Sequence, residues 1–179
     1  MSKKVIEGNV DLSDIWMDEI PDFLAVDELQ GNLRIDQYKY PSLRSLKNSP
    51  RLVKGTVVIN STNIRDLQGS PQMILGNFEL DANAKLDSLK GAPRYVTGIF
   101  SVQFSEQLRS LDHGWPEKVK IGKGFQLHYS GEMDAFRVDD VLKYYDVNPN
   151  DIFINDAYED PDMYELDDDL DALDRFDDR

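Results

Sequence analysis

The sequence predicts a repeat solenoid with one short parallel strand per coil of 21–25 residues, a C-terminal capping helix, and an acidic tail. Three registers predict it. Prolines recur at Pro50, Pro71, Pro93 and Pro116, spaced 21, 22 and 23 residues, and leucines recur upstream at Leu46, Leu67, Leu89 and Leu111, spaced 21, 22 and 22. After each proline a glycine, at Gly55, Gly76, Gly98 and then Gly122 or Gly124, opens a short segment of alternating apolar residues. One structural unit is therefore copied along the chain, about six times between Gly8 and Tyr129.

The strand of each unit is read from its alternation. Gly8-Asn9-Val10-Asp11-Leu12 and Gly31-Asn32-Leu33-Arg34-Ile35 share the phrase with Val57-Val58-Ile59, Phe78-Glu79-Leu80, Phe100-Ser101-Val102 and Phe125-Gln126-Leu127. Alternation places two apolar side chains on one face and leaves the other face polar. A second apolar pair follows at Leu43/Leu46, Ile64/Leu67, Leu86/Leu89 and Leu108/Leu111, where a spacing of three suits a helical or 3₁₀ turn against the same core. Gly followed by Pro then closes the turn, because Gly accepts a positive φ and Pro lacks the donor a strand needs. A single unit cannot bury its apolar edge, so neighbours must stack in register.

The ends of the stack need covers. Val138, Val141, Leu142 and Tyr145 fall on one helical face with Asp134 as a candidate N-cap, and Asn148-Pro149-Asn150 ends that helix. Asp151-Ile152-Phe153-Ile154 can add an extended segment against the last coil. At the other end Ile15, Trp16, Met17, Ile20 and Phe23 are expected to shield the open edge, with exposure of Trp16 as a binding aromatic as the alternative. The chain thus divides into a solenoid (1–130), a cap (131–155) and a tail (156–179).

Phe78-x-Leu80-x-x-Asn83-x-x-Leu86-x-x-Leu89 and Val57-x-Ile59-x-x-Thr62-x-Ile64-x-x-Leu67 resemble the leucine-rich repeat. The phrase Leu86-Asp87-Ser88-Leu89-Lys90-Gly91-Ala92-Pro93-Arg94-Tyr95-Val96-Thr97-Gly98-x-Phe100 resembles the short, degenerate leucine-rich repeats of small proteins of large tailed bacteriophages, and the resemblance spans roughly residues 8–129. It implies a leucine-rich-repeat-like solenoid in which an Asn or Thr side chain bonds the turning backbone. It also implies protein recognition rather than catalysis. Here the Asn position is Tyr38, Thr62, Asn83 or Ser105, and unit lengths vary, so the expected solenoid is irregular.

Charge separates the tail from the body. The chain carries a formal −14, yet residues 156–179 hold twelve acids and two bases, a net of −10. Within that tail Met163, Leu166, Leu170, Leu173 and Phe176 recur at helical spacing behind Asp160-Pro161, a helix-start pair, and are interleaved with acids that include Asp167, Asp168 and Asp169. Such a stripe suits an apolar groove rimmed by basic residues. A solvated terminus, or docking back onto the chain's own body, are the alternatives.

Chemistry is sparse. Absence of cysteine excludes disulfides, thiol catalysis and Cys-ligated metals, and the longest apolar runs are far shorter than a membrane span. His113 and His128 stand at unrelated repeat positions, and no phosphate-cradling loop accompanies the repeat glycines. The expectation is a cytoplasmic, non-enzymatic protein–protein interaction module without catalytic residue, metal or cofactor. The resemblance would make it a phage accessory protein acting in the host cytoplasm on a host or phage protein. Its partner is expected on the polar strand faces, Arg34, Asp36, Glu79, Asp81, Ser101 and Gln103, and/or on the tail, with no direct nucleic-acid or membrane binding. A basic nucleic-acid-binding enzyme is one candidate partner. The rival readings are a nucleic-acid mimic that inhibits a DNA- or RNA-handling enzyme, and a structural or virion-associated module.

Overall fold

The computed structural model describes residues 2–129 and 136–156. It is a parallel β-solenoid with a single α-helix among the described residues, α1 (Val138–Tyr144). Each coil carries the alternating strand that its sequence predicts. These strands are β2 (Val10–Asp11), β4 (Leu33–Asp36), β6 (Val57–Asn60), β8 (Phe78–Asp81), β10 (Ile99–Gln103), β12 (Gly124–Tyr129) and β14 (Ile152–Asp156), stacked in that order into one parallel sheet, here the long sheet. A second strand of only two or three residues precedes each: β1 (Val5–Glu7), β3 (Glu28–Gln30), β5 (Leu52–Val53), β7 (Met73–Ile74), β9 (Tyr95–Val96), β11 (Val119–Ile121) and β13 (Tyr145–Asp146). They form a second parallel ladder, the short sheet. Segments this brief show no alternation, which is why only their inward residues, Leu29, Val53, Ile74, Val96 and Ile121, leave a trace in the sequence.

Register makes each core row one side chain per coil. Leu33 pairs with Val57, Val57 with Phe78, Phe78 with Phe100, and Phe100 with Phe125, so successive coils are 24, 21, 22 and 25 residues long. All five are buried to 1% exposure or less. The rings of Phe78, Phe100 and Phe125 stack at centroid distances of 5.0 and 5.4 Å. Each such side chain removed from water contributes about 1.5–3 kcal/mol, and each aromatic contact adds about 0.5–1.5 kcal/mol.

The third side of each coil is extended rather than helical. Leu43, Leu46, Ile64, Leu67, Leu86, Leu89, Leu108 and Leu111 are all buried as expected. No helix carries them, because donors along this side bond the neighbouring coil instead: Leu67 N–H reaches Lys90 C=O at 2.8 Å and Leu89 N–H reaches Ser110 C=O at 3.1 Å. Only a single turn, Leu86 N–H to Asn83 C=O at 2.9 Å, precedes the extended stretch.

The corners follow from backbone sterics. Two residues before the repeat prolines stand Asn48, Gly69, Gly91 and Gly114, all at positive φ (73°, 89°, 86° and 77°). The second set of glycines is selected by space. A methyl group added at Gly76 would lie 2.6 Å from the Gly55 carbonyl, and one at Gly98 would lie 2.6 Å from the Gly76 carbonyl. The coils touch backbone to backbone along this column. At the next coil the contact shifts by one residue: Gly124 pairs with Ile99, which puts Lys123 above Gly98, and a methyl at Gly122 would collide with the Thr97 carbonyl oxygen.

The cap is itself a seventh coil. α1 takes the place of the extended third side, β13 and β14 complete the turn, and Phe125 of β12 pairs with Ile152 of β14. Val141 and Tyr145 are fully buried, whereas Val138 is 39% exposed. Arg137 occupies the N-cap position in place of Asp134, which lies outside the described residues; its N–H bonds the Asp140 carboxylate at 2.8 Å. The Tyr145 hydroxyl donates to the Leu111 carbonyl at 3.0 Å, and its ring lies 5.0 Å from that of Phe125.

At the N-terminal end only part of the expected shield forms. Met17 and Ile20 are buried, but Ile15, Trp16 and Phe23 are 46%, 74% and 61% exposed. The segment is pinned through its backbone: Ser42 Oγ accepts from Met17 N–H at 3.1 Å and donates to Met17 C=O at 2.9 Å. Met17 is turned inward, and the two residues before it, Ile15 and Trp16, face out.

Candidate functional site

The six residues expected on the solenoid face do come together. In the long sheet Arg34, Val58, Glu79, Ser101 and Gln126 form one outward row, and Asp36, Asn60, Asp81, Gln103 and His128 form the next. Pairs two residues apart along the chain bond each other: the Arg34 guanidinium to Asp36 at 2.7 Å, the Asn77 amide to Glu79 at 3.0 Å, and the Gln103 amide to Ser101 Oγ at 3.0 Å. Between strands the middle of the face is open. Asn60, Asn77, Glu79, Asp81, Ser101, Gln103 and Gln126 line a cleft of about 370 Å³.

Two acceptors in this cleft have no hydrogen-bond partner. Asn60 Oδ1 and Asp81 Oδ1 are inaccessible to solvent and unbonded, and the residues that carry them are register partners. Burial pushes the Asp81 carboxyl above the ordinary Asp range; the Ala82 N–H bond pulls it down, and the neighbouring Asp36 charge raises it further. A buried acceptor without a donor costs about 1–3 kcal/mol.

The face ends in exposed aromatics. Where β4 leaves the sheet, Tyr38 and Tyr40 are 82% and 59% exposed, and the adjoining corner of the first coil carries Trp16. Tyr38 therefore does not hold the repeat's polar position. Gln37 does: it is fully buried, its amide donates to Ile15 C=O at 2.8 Å, and its Oε1 accepts from Ser42 and Leu43 N–H at 2.9 and 2.7 Å. The other coils place a residue of positive φ first, Ser61, Ala82 or Phe104, and bury the next one, Thr62, Asn83 or Ser105. This coil omits that residue and spans the gap with a longer side chain.

The two histidines separate. His128 lies half-buried in the outward row, while His113 is 2% exposed and structural. His113 Nδ1 accepts from Trp115 N–H at 3.0 Å, so Nε2 carries the proton and donates to Tyr144 C=O at 2.8 Å. Among the described residues no group of three or more His, Asp or Glu is placed to hold a metal ion, and no helix is long and apolar enough to cross a membrane. The tail residues Met163, Leu166, Asp167, Asp168, Asp169, Leu170, Leu173 and Phe176 lie outside the described residues.

The short sheet presents a different surface that the sequence reading missed. Its outward row runs Leu52, Met73, Tyr95, Lys120 in register. A groove of about 1220 Å³ crosses it, lined by Lys3, Lys4, Arg51, Arg94 and Asp27; Lys3 is paired with Glu28 of the same sheet and Arg51 stands 4.0 Å from Asp27, while Lys4 and Arg94 face it as further bases. The signal for it was a base just before four of the seven short strands, at Lys4, Arg51, Arg94 and Lys118, visible only once those strands are known. No protein-family model, curated protein or solved structure matches this chain.

Proposed function

We propose that the chain is a non-enzymatic protein-interaction module that receives its partner on the outward face of the long sheet and on the aromatic corner where that face ends. The observation that supports this reading is the exposure of Trp16 and Tyr38, 74% and 82%, in a chain that buries Phe78, Phe100 and Phe125 completely. Large aromatics contribute most of the binding energy at many protein interfaces. The Glu79 and Asp81 side chains that line the cleft on this face suit Lys, Arg or backbone N–H donors of a partner. The partner that fits is a protein surface with an apolar pocket beside such donors. The repeat's resemblance makes a host or phage protein in the cytoplasm the first one to seek.

Affinity capture from cytosol tests the reading, with the full chain compared against Trp16→Ala/Tyr38→Ala and against Asp81→Lys. Both variants are expected to lose capture of the same protein at least tenfold. Equal capture by all three would overturn the assigned surface. Release of the captured protein by added nucleic acid would overturn it in favour of a nucleic-acid mimic.

A further inference from the structure

We infer that the acidic C-terminal segment, residues 157–179, docks in cis along the basic groove of the short sheet. This surface is opposite in chemistry to the long-sheet face and is independent of the interaction reading above.

The groove is amphipathic. Leu52, Met73 and Tyr95 form its floor, one side chain per coil, with Met73 42% exposed. Lys4, Arg51 and Arg94 rim it; the Arg51 side chain is 71% exposed, and Arg94 lies 4.5 Å over the Trp115 ring. A surface that places bases around apolar residues fits a segment that places acids around apolar residues. Residues 157–179 carry eleven acids and two bases around Met163, Leu166, Leu170, Leu173 and Phe176.

Parallel strands stand roughly 4.8 Å apart, so the apolar floor from Leu52 to Tyr95 extends about 10 Å along the solenoid axis. The described chain ends at Asp156, at the end of β14, and the 23 residues that follow it belong to the same molecule. Tethering also keeps the segment at an effective concentration in the millimolar range, which favours cis docking over capture by a second copy.

The chain has no cysteine, so Ala172→Cys supplies a unique position for a nitroxide label beside the stripe without removing a stripe residue. In the labelled full chain, NMR signals of Met73 and Tyr95 are expected to lose at least twofold more intensity than those of Ser101 and Gln126 on the opposite sheet. Arg51→Glu/Arg94→Glu should abolish the difference, and high salt should reduce it. Equal broadening on both sheets, or broadening confined to the long sheet, would overturn the proposal. So would broadening of an unlabelled, isotope-enriched chain mixed with a labelled one, because that places the segment on a second copy.

Discussion

Asn83 bonds Thr62 twice across adjacent coils: its Oδ1 accepts from Thr62 N–H at 3.0 Å and from Thr62 Oγ1 at 2.7 Å. Its amide donates to Ile59 C=O at 2.8 Å, and both residues are buried. One side chain thus satisfies three backbone or hydroxyl groups that water cannot reach. Asn83→Ala is expected to lower unfolding free energy by about 3 kcal/mol, since each orphaned buried group costs about 1–3 kcal/mol and relaxation recovers part of it. Thr62→Val, which loses only one of these bonds, should cost about 1 kcal/mol. Urea unfolding of the two variants measures the difference.

The glycine column and the left-handed glycines predict different costs for the same change. Gly8 has φ of 88° and nothing within 4 Å of an added methyl, so Gly8→Ala is expected to cost only the backbone term, about 1–2 kcal/mol. At Gly76 the methyl would stand 2.6 Å from Gly55 carbonyl atoms, and two coils must separate to admit it. Gly76→Ala should cost more than Gly8→Ala, at least about 3 kcal/mol. Thermal unfolding of the pair tests the order; equal destabilisation would contradict the backbone contact.

Glu28 predicts an acid-sensitive N-terminal end. Hydrogen bonds from Lys3, then Lys54 and Gln30, hold its carboxyl at about 2, against an ordinary value of 4.5. A carboxyl depressed in the folded state stabilises above its unfolded value and loses that contribution as pH falls toward its folded value. The window here runs from about 4.5 down to about 2. Glu28→Gln is expected to flatten the stability profile across that window. Denaturant midpoints measured through it for parent and variant show whether the slopes differ.

Asp81 has the opposite sign. Burial raises its folded value, so its protonated form is favoured, and stability present at low pH declines as pH rises through that value. Asp81→Asn should therefore make the protein more stable at neutral pH. The same substitution should weaken capture of the partner proposed for the long-sheet face. A gain in stability with unchanged capture would remove Asp81 from that surface.

His113 ties the last coil to the body through Tyr144 C=O at 2.8 Å, and its ring lies 5.5 Å from that of Tyr145. His113→Ala is expected to cost roughly 2–3 kcal/mol through two lost hydrogen bonds and a cavity. The loss should be local. Hydrogen exchange is expected to accelerate in β13 and β14 while β6 and β8 keep their protection.

Much of the architecture was legible because a solenoid repeats its chemistry at each coil. Apolar residues of β4, β6, β8 and β10 had to face one core, and the corner before each repeat proline took its positive φ at a Gly or Asn. Those constraints act within a few residues, and they recur in Leu46, Leu67, Leu89 and Leu111 as plainly as in the prolines. The outward row from Arg34 to Gln126, polar except at Val58, followed from the strand period.

Other features depend on neighbours that sequence spacing does not reveal. Two-residue strands have no period, so the short sheet and its basic groove emerge only when Leu52, Met73 and Tyr95 stack in register. Gln37 rather than Tyr38 fills the polar position because one coil lacks the left-handed residue that the others have. Trp16 faces solvent while Ser42 of the next coil pins Met17 through its backbone. The sequence by itself determined the stacked parallel coils, the burial of the repeat leucines and the separation of charge between body and tail. Tertiary structure alone decided which side chains of adjacent coils meet, because those contacts join residues about 21–25 positions apart and are set by the register between coils.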